Sequence, residues 1–259
     1  MVKSDSIALS KWPRLLYVVR HGQSAGNVAR DYAELNRLET VDINVRDMDV
    51  PLSELGHSQA QSLGEWMSGL SETDRPTRIL SSSYLRARQT AEGARSFEPA
   101  YELPPIIIDE RLREREFGLI DHLTKFGITA KFPLEAASYA KLGKFYYRPP
   151  GGESWCDVIL RLRSVLDSLS RDHAGEVVLI VCHTVVVHCL RYLFEELTEA
   201  EILAIDRSNE IANCSISSFR GTSDEIRGER LVLESFNDVK HLKNAGEKVT
   251  RATDCPTPT

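Results

Sequence analysis

Two uninterrupted apolar runs, Leu15-Leu16-Tyr17-Val18-Val19 and Val177-Val178-Leu179-Ile180-Val181-Cys182, stand out from a mixed background. Neither alternates with polar residues. A short continuous run of this kind predicts a strand buried on both faces, as in a parallel sheet covered by helices. Arg78-Ile79-Leu80-Ser81 and Ile106-Ile107-Ile108 predict two further strands, the second also buried. The segments 214–219 and 230–236 alternate well enough to form an antiparallel pair.

Between these strands the apolar period lengthens to that of a helix. Ser53 has the chemistry of an N-cap, and Ala60, Leu63, Met67 and Leu70 follow it on one face. Trp155, Val158, Leu162, Val165 and Leu169 trace the clearest helix of the chain. Helices are also expected over 82–93 and 199–205, and after Thr184, where Val185-Val186-Val187 is poor helix material and blurs the boundary. Strands alternating with helices predict an α/β fold: three α/β/α layers around a mixed, mostly parallel sheet.

Two segments break this rhythm. Val28 to Val50 is a long polar connection, expected to be partly helical and mostly solvated, with Arg30, Arg37 and Arg46 among several carboxylates. Leu119 to Pro150 is locally basic, too short for a core of its own, and expected to form a small helical lid over the sheet edge. The resulting organisation is one domain over 13–238, with the insertion at about 119–150. An N-terminal tail, 1–12, precedes it and a polar tail, 239–259, follows.

Composition narrows the function classes. The chain has 259 residues, 42% of them hydrophobic, enough for one large core. A net charge of -6 argues against a nucleic-acid binder or a basic membrane-surface protein. No apolar run reaches the length of a membrane span, and Met1 to Lys11 lacks the apolar core of a signal peptide. Five scattered cysteines suggest neither a disulfide framework nor a zinc pattern. A cytoplasmic protein is the expectation; the oligomeric state is not legible.

Candidate chemistry gathers at the strand ends. Arg20-His21-Gly22 follows the first buried strand and Cys182-His183-Thr184 the most hydrophobic one, while Arg86 follows a third strand and Glu114 a fourth. If these strands run parallel, all four segments meet at the carboxyl edge of one sheet, where such folds bind ligands. Arg86 and Arg88 lie near the start of a helix, where free amides and the dipole already favour anions. Each feature also has a plain reading: surface salt bridges for the arginines, a solvated face for the charge run 110–118. His183 and His188 are five apart, not the four that put two metal ligands on one helical face, so no metal site is expected. His188 is expected to pack within its helix and Cys182 and Cys189 in the core, while His57, His122, His173 and His241 are expected at the surface.

At this point the chain resembles the histidine phosphatase superfamily, in its phosphoglycerate mutase-like branch. The resemblance rests on Arg20-His21-Gly22-Gln23-Ser24 with Asn27, Leu52-Ser53-Glu54-Leu55-Gly56 with Gln59-Ala60, and Arg86-Ala87-Arg88-Gln89-Thr90-Ala91. Leu112-Arg113-Glu114 with Phe117-Gly118, Gly151-Gly152-Glu153-Ser154 and Val181-Cys182-His183 continue it in order, over roughly residues 14 to 236. It implies that His21 accepts a phosphoryl group, that Arg20, Arg86, His183 and Asn27 bind its oxygens, and that Glu114 protonates the leaving group. One departure is Thr184, where the family often has glycine or alanine; it narrows the pocket or adds a hydroxyl contact to substrate.

The chemistry fits these roles. Phosphoryl transfer spreads negative charge over three oxygens, so fixed guanidinium forks are what it needs. A neutral imidazole attacks in line if its other nitrogen is held by an acceptor, expected here to be a nearby backbone carbonyl. Glu114 can donate a proton only if burial or a neighbouring carboxylate raises its pKa. No cofactor is required. The implied ligand is a small phosphorylated substrate or inorganic phosphate. Hydrolysis is favoured over a mutase reaction, because the segment 42–49 is acidic where a mutase binds an anion; a catalytically weak phosphate-binding protein is the third reading. Lys125, Lys144, Tyr146, Tyr147 and Arg148 are the insertion's candidates to touch substrate.

Overall fold

The structure, a computed structural model, describes residues 11–96, 103–224 and 228–251. The strands are β1 (Leu15–Arg20), β2 (Arg78–Ser81), β3 (Ile106–Ile108), β4 (Val177–Cys182), β5 (Ile216–Asp224) and β6 (Gly228–Asp238). Helices α1 (Ala25–Leu35), α2 (Glu54–Ser68) and α3 (Leu85–Ser96) occupy the first half. Helices α4 (Lys125–Lys131) and α5 (Pro133–Tyr146) form the insertion, followed by α6 (Trp155–Asp172), α7 (Thr184–Phe194), α8 (Glu199–Ser208) and the short α9 (Lys240–Asn244). Among these elements the sheet order is β3-β2-β4-β1-β5-β6. β3, β2, β4 and β1 are mutually parallel, while β5 pairs antiparallel with both β1 and β6. The mixed, mostly parallel three-layer fold is thus the one the pattern predicts.

The unbroken apolar runs have the cause proposed for them. Leu16, Val18, Val178 and Ile180 pack on one face against Trp155, Val158, Leu162 and Val165 of α6 and Val186 and Leu190 of α7. Leu15, Tyr17, Val19, Leu179 and Val181 pack on the other against Leu63 and Met67 of α2 and the alanines of α3. With no water on either side, every position of a central strand gains from being apolar, each full burial contributing roughly 1.5–3 kcal/mol. Helix starts are fixed locally. Ser24, Ser53, Ser154 and Thr198 each accept a backbone N–H from the third residue of the helix they open. Among the described residues no helix is long and apolar enough to cross a membrane.

Four expectations need correction. β3 is not buried: it is the sheet edge, with Ile107 and Ile108 44% and 47% exposed. Three isoleucines signal strand but carry no record of whether a neighbour lies beyond. The segment from 239 does not begin as a tail, since Val239 and Leu242 join the core beside α2 and order continues to Arg251. His241 is accordingly buried against Trp66, not at the surface. Finally, the insertion has a small cluster of its own, in which Phe117, Ile120, Leu123, Ile128 and Tyr147 pack together. Residues 1–10, most of the expected N-terminal tail, lie outside the described residues, as do 252–259 with Cys255. Of the 28–50 connection, the first third belongs to α1.

His188 is packed within α7, as expected: its ring stacks on Trp155 at 5.8 Å. Its Nε2 lies 3.6 Å from Asp206, which in turn holds Lys144 at 2.6 Å. Burial pushes the pKa of His188 down to about 4, against the opposing pull of Asp206. Burial does the same to His241, also to about 4. Below the unfolded value near 6.5 the unfolded chain therefore takes up protons that the native state refuses. These two histidines leave stability intact above pH 6.5 and draw it down as the pH falls towards 4, by on the order of 3 kcal/mol each at the limit. Thermal unfolding midpoints across this range should fall, and His188→Gln should flatten the fall. An equally steep profile for that variant would assign the loss to other groups.

Candidate active site

The parallel registers bring the strand ends together. Arg20 lies beside Cys182 across β1 and β4, and Val181 beside Ser81 across β4 and β2. The residues that follow, His21, His183 and Ser82, therefore emerge side by side at the carboxyl edge. All three are fully buried. The rings of His21 and His183 lie 5.1 Å apart.

His21 is held from several sides. Its N–H donates to Cys182 O at 2.9 Å, and its carbonyl accepts from Cys214 N at 3.0 Å. Cys214 sits at φ +56°, a left-handed conformation rare for a non-glycine residue and the kind of local strain that surrounding structure must hold in place. Nδ1 of His21 meets the carbonyl oxygen of Gly22 at 2.7 Å. A carbonyl can only accept, so Nδ1 carries the proton, and in a neutral ring the lone pair belongs to Nε2. The backbone acceptor expected for this histidine is thus its own neighbour.

The glycines after His21 allow a close approach. Gly22 N donates to Thr90 Oγ1 of α3 at 3.0 Å. A Cβ on Gly22 would lie 2.6 Å from Gly56 O, and one on Gly56 would lie 2.0 Å from Gln23 O. The start of α2 is therefore pressed against the first motif, with Ser53 Oγ donating to Gln23 Oε1 at 2.8 Å and Gln59 Oε1 accepting from Gln23 N at 2.9 Å.

The arginines are buried too. Arg20 is 1% exposed and donates from Nη1 to Ile211 O at 2.5 Å. Arg86, 3% exposed, lies over the ring of Tyr84 and engages Asp47 as a bidentate pair, with both oxygens at 3.0 Å. Its Nη1 also donates to Asp47 O at 2.6 Å. His183 opens α7 as its N-cap residue, and its Nε2 lies 2.8 Å from Ser82 Oγ. Thr184, half-buried, is the first residue of that helix.

Asn27 completes a capping box. Its Oδ1 accepts from Ser24 N at 3.0 Å and from Asn213 Nδ2 at 3.1 Å. Asn213 belongs to a longer chain of bonds: its Oδ1 accepts from Thr250 Oγ1 at 2.9 Å, and its Nδ2 also reaches His21 O at 3.4 Å. Gln59 Nε2 donates to Lys248 O at 2.9 Å. The segment after α9 is thereby tied to the first motif.

The charge run 110–118 is not the solvated face its plain reading suggests. Glu114 is fully buried, accepting from Arg115 N at 2.8 Å, near the Cys182 thiol, whose pKa burial raises. Arg115 is buried as well, donating to Glu153 O at 2.5 Å and to Tyr147 O at 3.0 Å. Glu153 in turn holds Arg113 at 2.7 Å and Arg161 at 3.0 Å. Glu116 accepts from the Tyr84 hydroxyl at 2.6 Å.

A pocket opens beside these groups, lined by Asn27, Arg30, Asp47, Arg86, Asp121 and His122 among others. His122, expected at the surface, thus faces the pocket, at φ +57°. The insertion's proposed contacts lie elsewhere. Lys144 is committed to Asp206, Arg148 to Asp157, and the Tyr147 hydroxyl to Glu135; neither these nor Lys125 and Tyr146 line the pocket. Lysine and tyrosine read as ligand contacts only while their own acceptors are unknown. His183 and His188 diverge, one to Ser82 and one to Asp206, and among the described residues no group of three or more His, Cys, Asp or Glu is arranged to hold a metal ion.

Residues 16–238 match the family model of the histidine phosphatase superfamily, branch 1. The chain belongs to that superfamily. It is 32% identical over 196 residues to 6-phosphofructo-2-kinase/fructose-2,6-bisphosphatase of Caenorhabditis elegans, which covers 75% of this chain but 37% of that protein's length. It is 25% identical over 243 residues to the metal-independent phosphoserine phosphatase of Arabidopsis thaliana, covering 94% of this chain and 89% of the relative. Among solved structures, YhfR of Bacillus stearothermophilus superposes with a TM-score of 0.68 at 28% identity, over 88% of this chain and 98% of that one. Mycobacterial glucosyl-3-phosphoglycerate phosphatase in complex with VO3 does so at 0.64 and 26%, over 87% and 100%. The same mycobacterial enzyme is also known with inorganic phosphate.

Sequence reasoning missed Asp47, Ser82, Tyr84, Asn213 and Thr250. Tyr84 and Ser82 had a signal, since both stand between a strand end and Arg86. Asp47 stood in the acidic segment 42–49, but its pairing with Arg86, 39 residues away, had no signal, nor did Asn213 and Thr250, whose partners are 186 and 37 residues away. Gly56→Ala tests the close approach that seats the first motif. With no room for the methyl group, backbone must shift, and a loss of about 1–3 kcal/mol in unfolding free energy is expected. Wild-type stability in that variant would mean that the approach is not rigid.

Proposed function

We propose that this member of the superfamily hydrolyses small phosphomonoesters through a phosphohistidine on His21, without a metal. The observation that carries the proposal is the His21 Nδ1 contact with Gly22 O at 2.7 Å. It leaves Nε2 as the nucleophilic atom of a neutral ring, held rigidly at the sheet edge with His183 alongside.

In this reading the ester phosphate sits on Arg20, Arg86, Asn27 and His183, with Thr184 at its margin. These permanent or positioned donors match the charge that spreads over the equatorial oxygens in the transition state. Nε2 forms a bond to phosphorus as the ester P–O bond breaks, and the departing oxygen takes the proton of Glu114. Water then attacks the phosphohistidine and yields its proton to the Glu114 carboxylate. The P–N bond breaks, phosphate leaves and His21 returns neutral. Full burial of Glu114 keeps bulk water from competing for that proton.

Relatives and neighbours named as phosphatases support hydrolysis as the outcome. The four cysteines among the described residues are free thiols, which fits a reducing cytoplasmic setting. His21→Ala should abolish hydrolysis of p-nitrophenyl phosphate while the fold survives, and Glu114→Gln should lower it by about 10²–10⁴-fold. Substantial turnover by folded His21→Ala would refute the nucleophile. EDTA should leave the wild-type rate unchanged. With 3-phosphoglycerate and bisphosphoglycerate supplied together, release of phosphate without 2-phosphoglycerate is expected; formation of 2-phosphoglycerate would establish a mutase instead.

A further inference from the structure

The mouth of the site carries more acid than a receptor for anions needs. Asp47, from the connection after α1, and Asp121, from the loop before α4, both line the pocket. Burial and the charge of Asp47 raise the pKa of Asp121, so the two carboxylates feel one another across the same space. Arg30 and His122 share the mouth, and the charge of Arg30 works against the rise at Asp121. Arg30 donates to Leu123 O at 3.0 Å, and the His122 ring lies 3.3 Å from Asp121. Asp47 holds both terminal nitrogens of Arg86, at 3.0 Å each, and its side chain is 29% exposed where that of Arg86 is 4% exposed.

A phosphoryl group that takes both terminal nitrogens of Arg86 must displace the Asp47 carboxylate. Asp47 stays tethered by its loop, so the freed carboxylate remains at the mouth beside Asp121. The phosphate end of the substrate points inward to the buried arginines, and the alcohol portion points out towards these two acids. A positive group there replaces the cation that Asp47 has lost. A second carboxylate or phosphate there meets two like charges in a partly desolvated pocket, where such repulsion is several times stronger than in water.

We propose that Asp47, supported by Asp121, is a specificity-determining residue that selects phosphomonoesters whose alcohol portion carries an ammonium group and rejects those carrying a second anion. The inference rests on the phosphatase reading for its substrate orientation. It makes a doubly anionic ester a poor substrate even though the arginines would hold its phosphate.

Two esters of similar size separate the cases: O-phosphoethanolamine, with an ammonium, and 2-phosphoglycolate, with a carboxylate. Wild-type kcat/KM is expected to favour the first. In Asp47→Asn the ratio of the two values should shrink by about 10- to 100-fold, the worth of one removed charge at this range. Asp121→Asn should shrink it in the same direction. Because each ratio is measured on one preparation, partial unfolding cancels, as does any general gain in phosphate binding when Arg86 is freed. A wild-type preference for phosphoglycolate, or a ratio unchanged in both variants, would overturn the proposal. If the wild type turned over no phosphomonoester, the phosphatase reading would fail by itself. Calorimetric affinities of the same two esters would then decide: tighter binding of phosphoethanolamine, lost in Asp47→Asn, upholds the selectivity, and equal affinities end it.

Discussion

Two guanidinium groups buried at the end of a sheet constrain everything around them. Arg20 and Arg86 are almost without solvent exposure, and a charge taken out of water must be met by acceptors or by an opposite charge. Arg20 finds the carbonyl of Ile211, so the chain before β5 must pass the end of β1. Arg86 finds Asp47, so the connection after α1 must fold back over the start of α3. The same demand repeats one layer out, where Arg113 and Arg161 converge on Glu153. A site that binds an anion tightly has to assemble cations that repel one another, and the surrounding acceptors are what let the fold tolerate them before the anion arrives.

This constraint explains why the site draws on segments so far apart in the chain. β1 and β4 supply the histidines, the start of α3 an arginine, the run after β3 the glutamate. The first motif is then locked from outside by α2, through the near contact of Gly22 with Gly56, and from below by Asn213 and Thr250. Each lock fixes His21 through its backbone, while its ring meets the Gly22 carbonyl and lies beside the ring of His183. Geometry is thereby set by rigid elements, which hold position better than a loop of comparable length.

Most of the architecture was legible because burial on both faces writes an unbroken apolar run, and β1 and β4 have no other reading. The strand-end positions of His21 and His183 followed from those runs alone. Roles for Arg86 and Glu114 needed the family resemblance, since an arginine near a helix start and a glutamate in a charge run look the same whether solvated or buried. What stayed illegible depends on long-range partners. Thr250 looks like tail until Asn213 is placed beneath it, and β3 looks buried until the absence of a strand beyond it is seen among the described residues. Lys144 and Arg148 look like ligand contacts until Asp206 and Asp157 are found beside them.

The same partner logic separates the two kinds of cation in this protein. A lysine or arginine satisfied by a carboxylate that is itself tied down has no capacity left for a ligand: Arg148 faces an aspartate that also serves the Ser154 capping box. Arg86 differs, because its partner comes from a half-buried loop whose carboxylate is bound to nothing else of comparable strength among the hydrogen bonds of the described residues. The proposed exchange at Arg86 would trade one bidentate oxyanion for another, carboxylate for phosphate, with little change in the geometry that the guanidinium must adopt. A pocket organised this way keeps its buried charge compensated whether or not an anion is bound. On the proposed selectivity it would also hand the displaced carboxylate to whatever the phosphate carries with it, so that binding the phosphate and inspecting its alcohol would become one event.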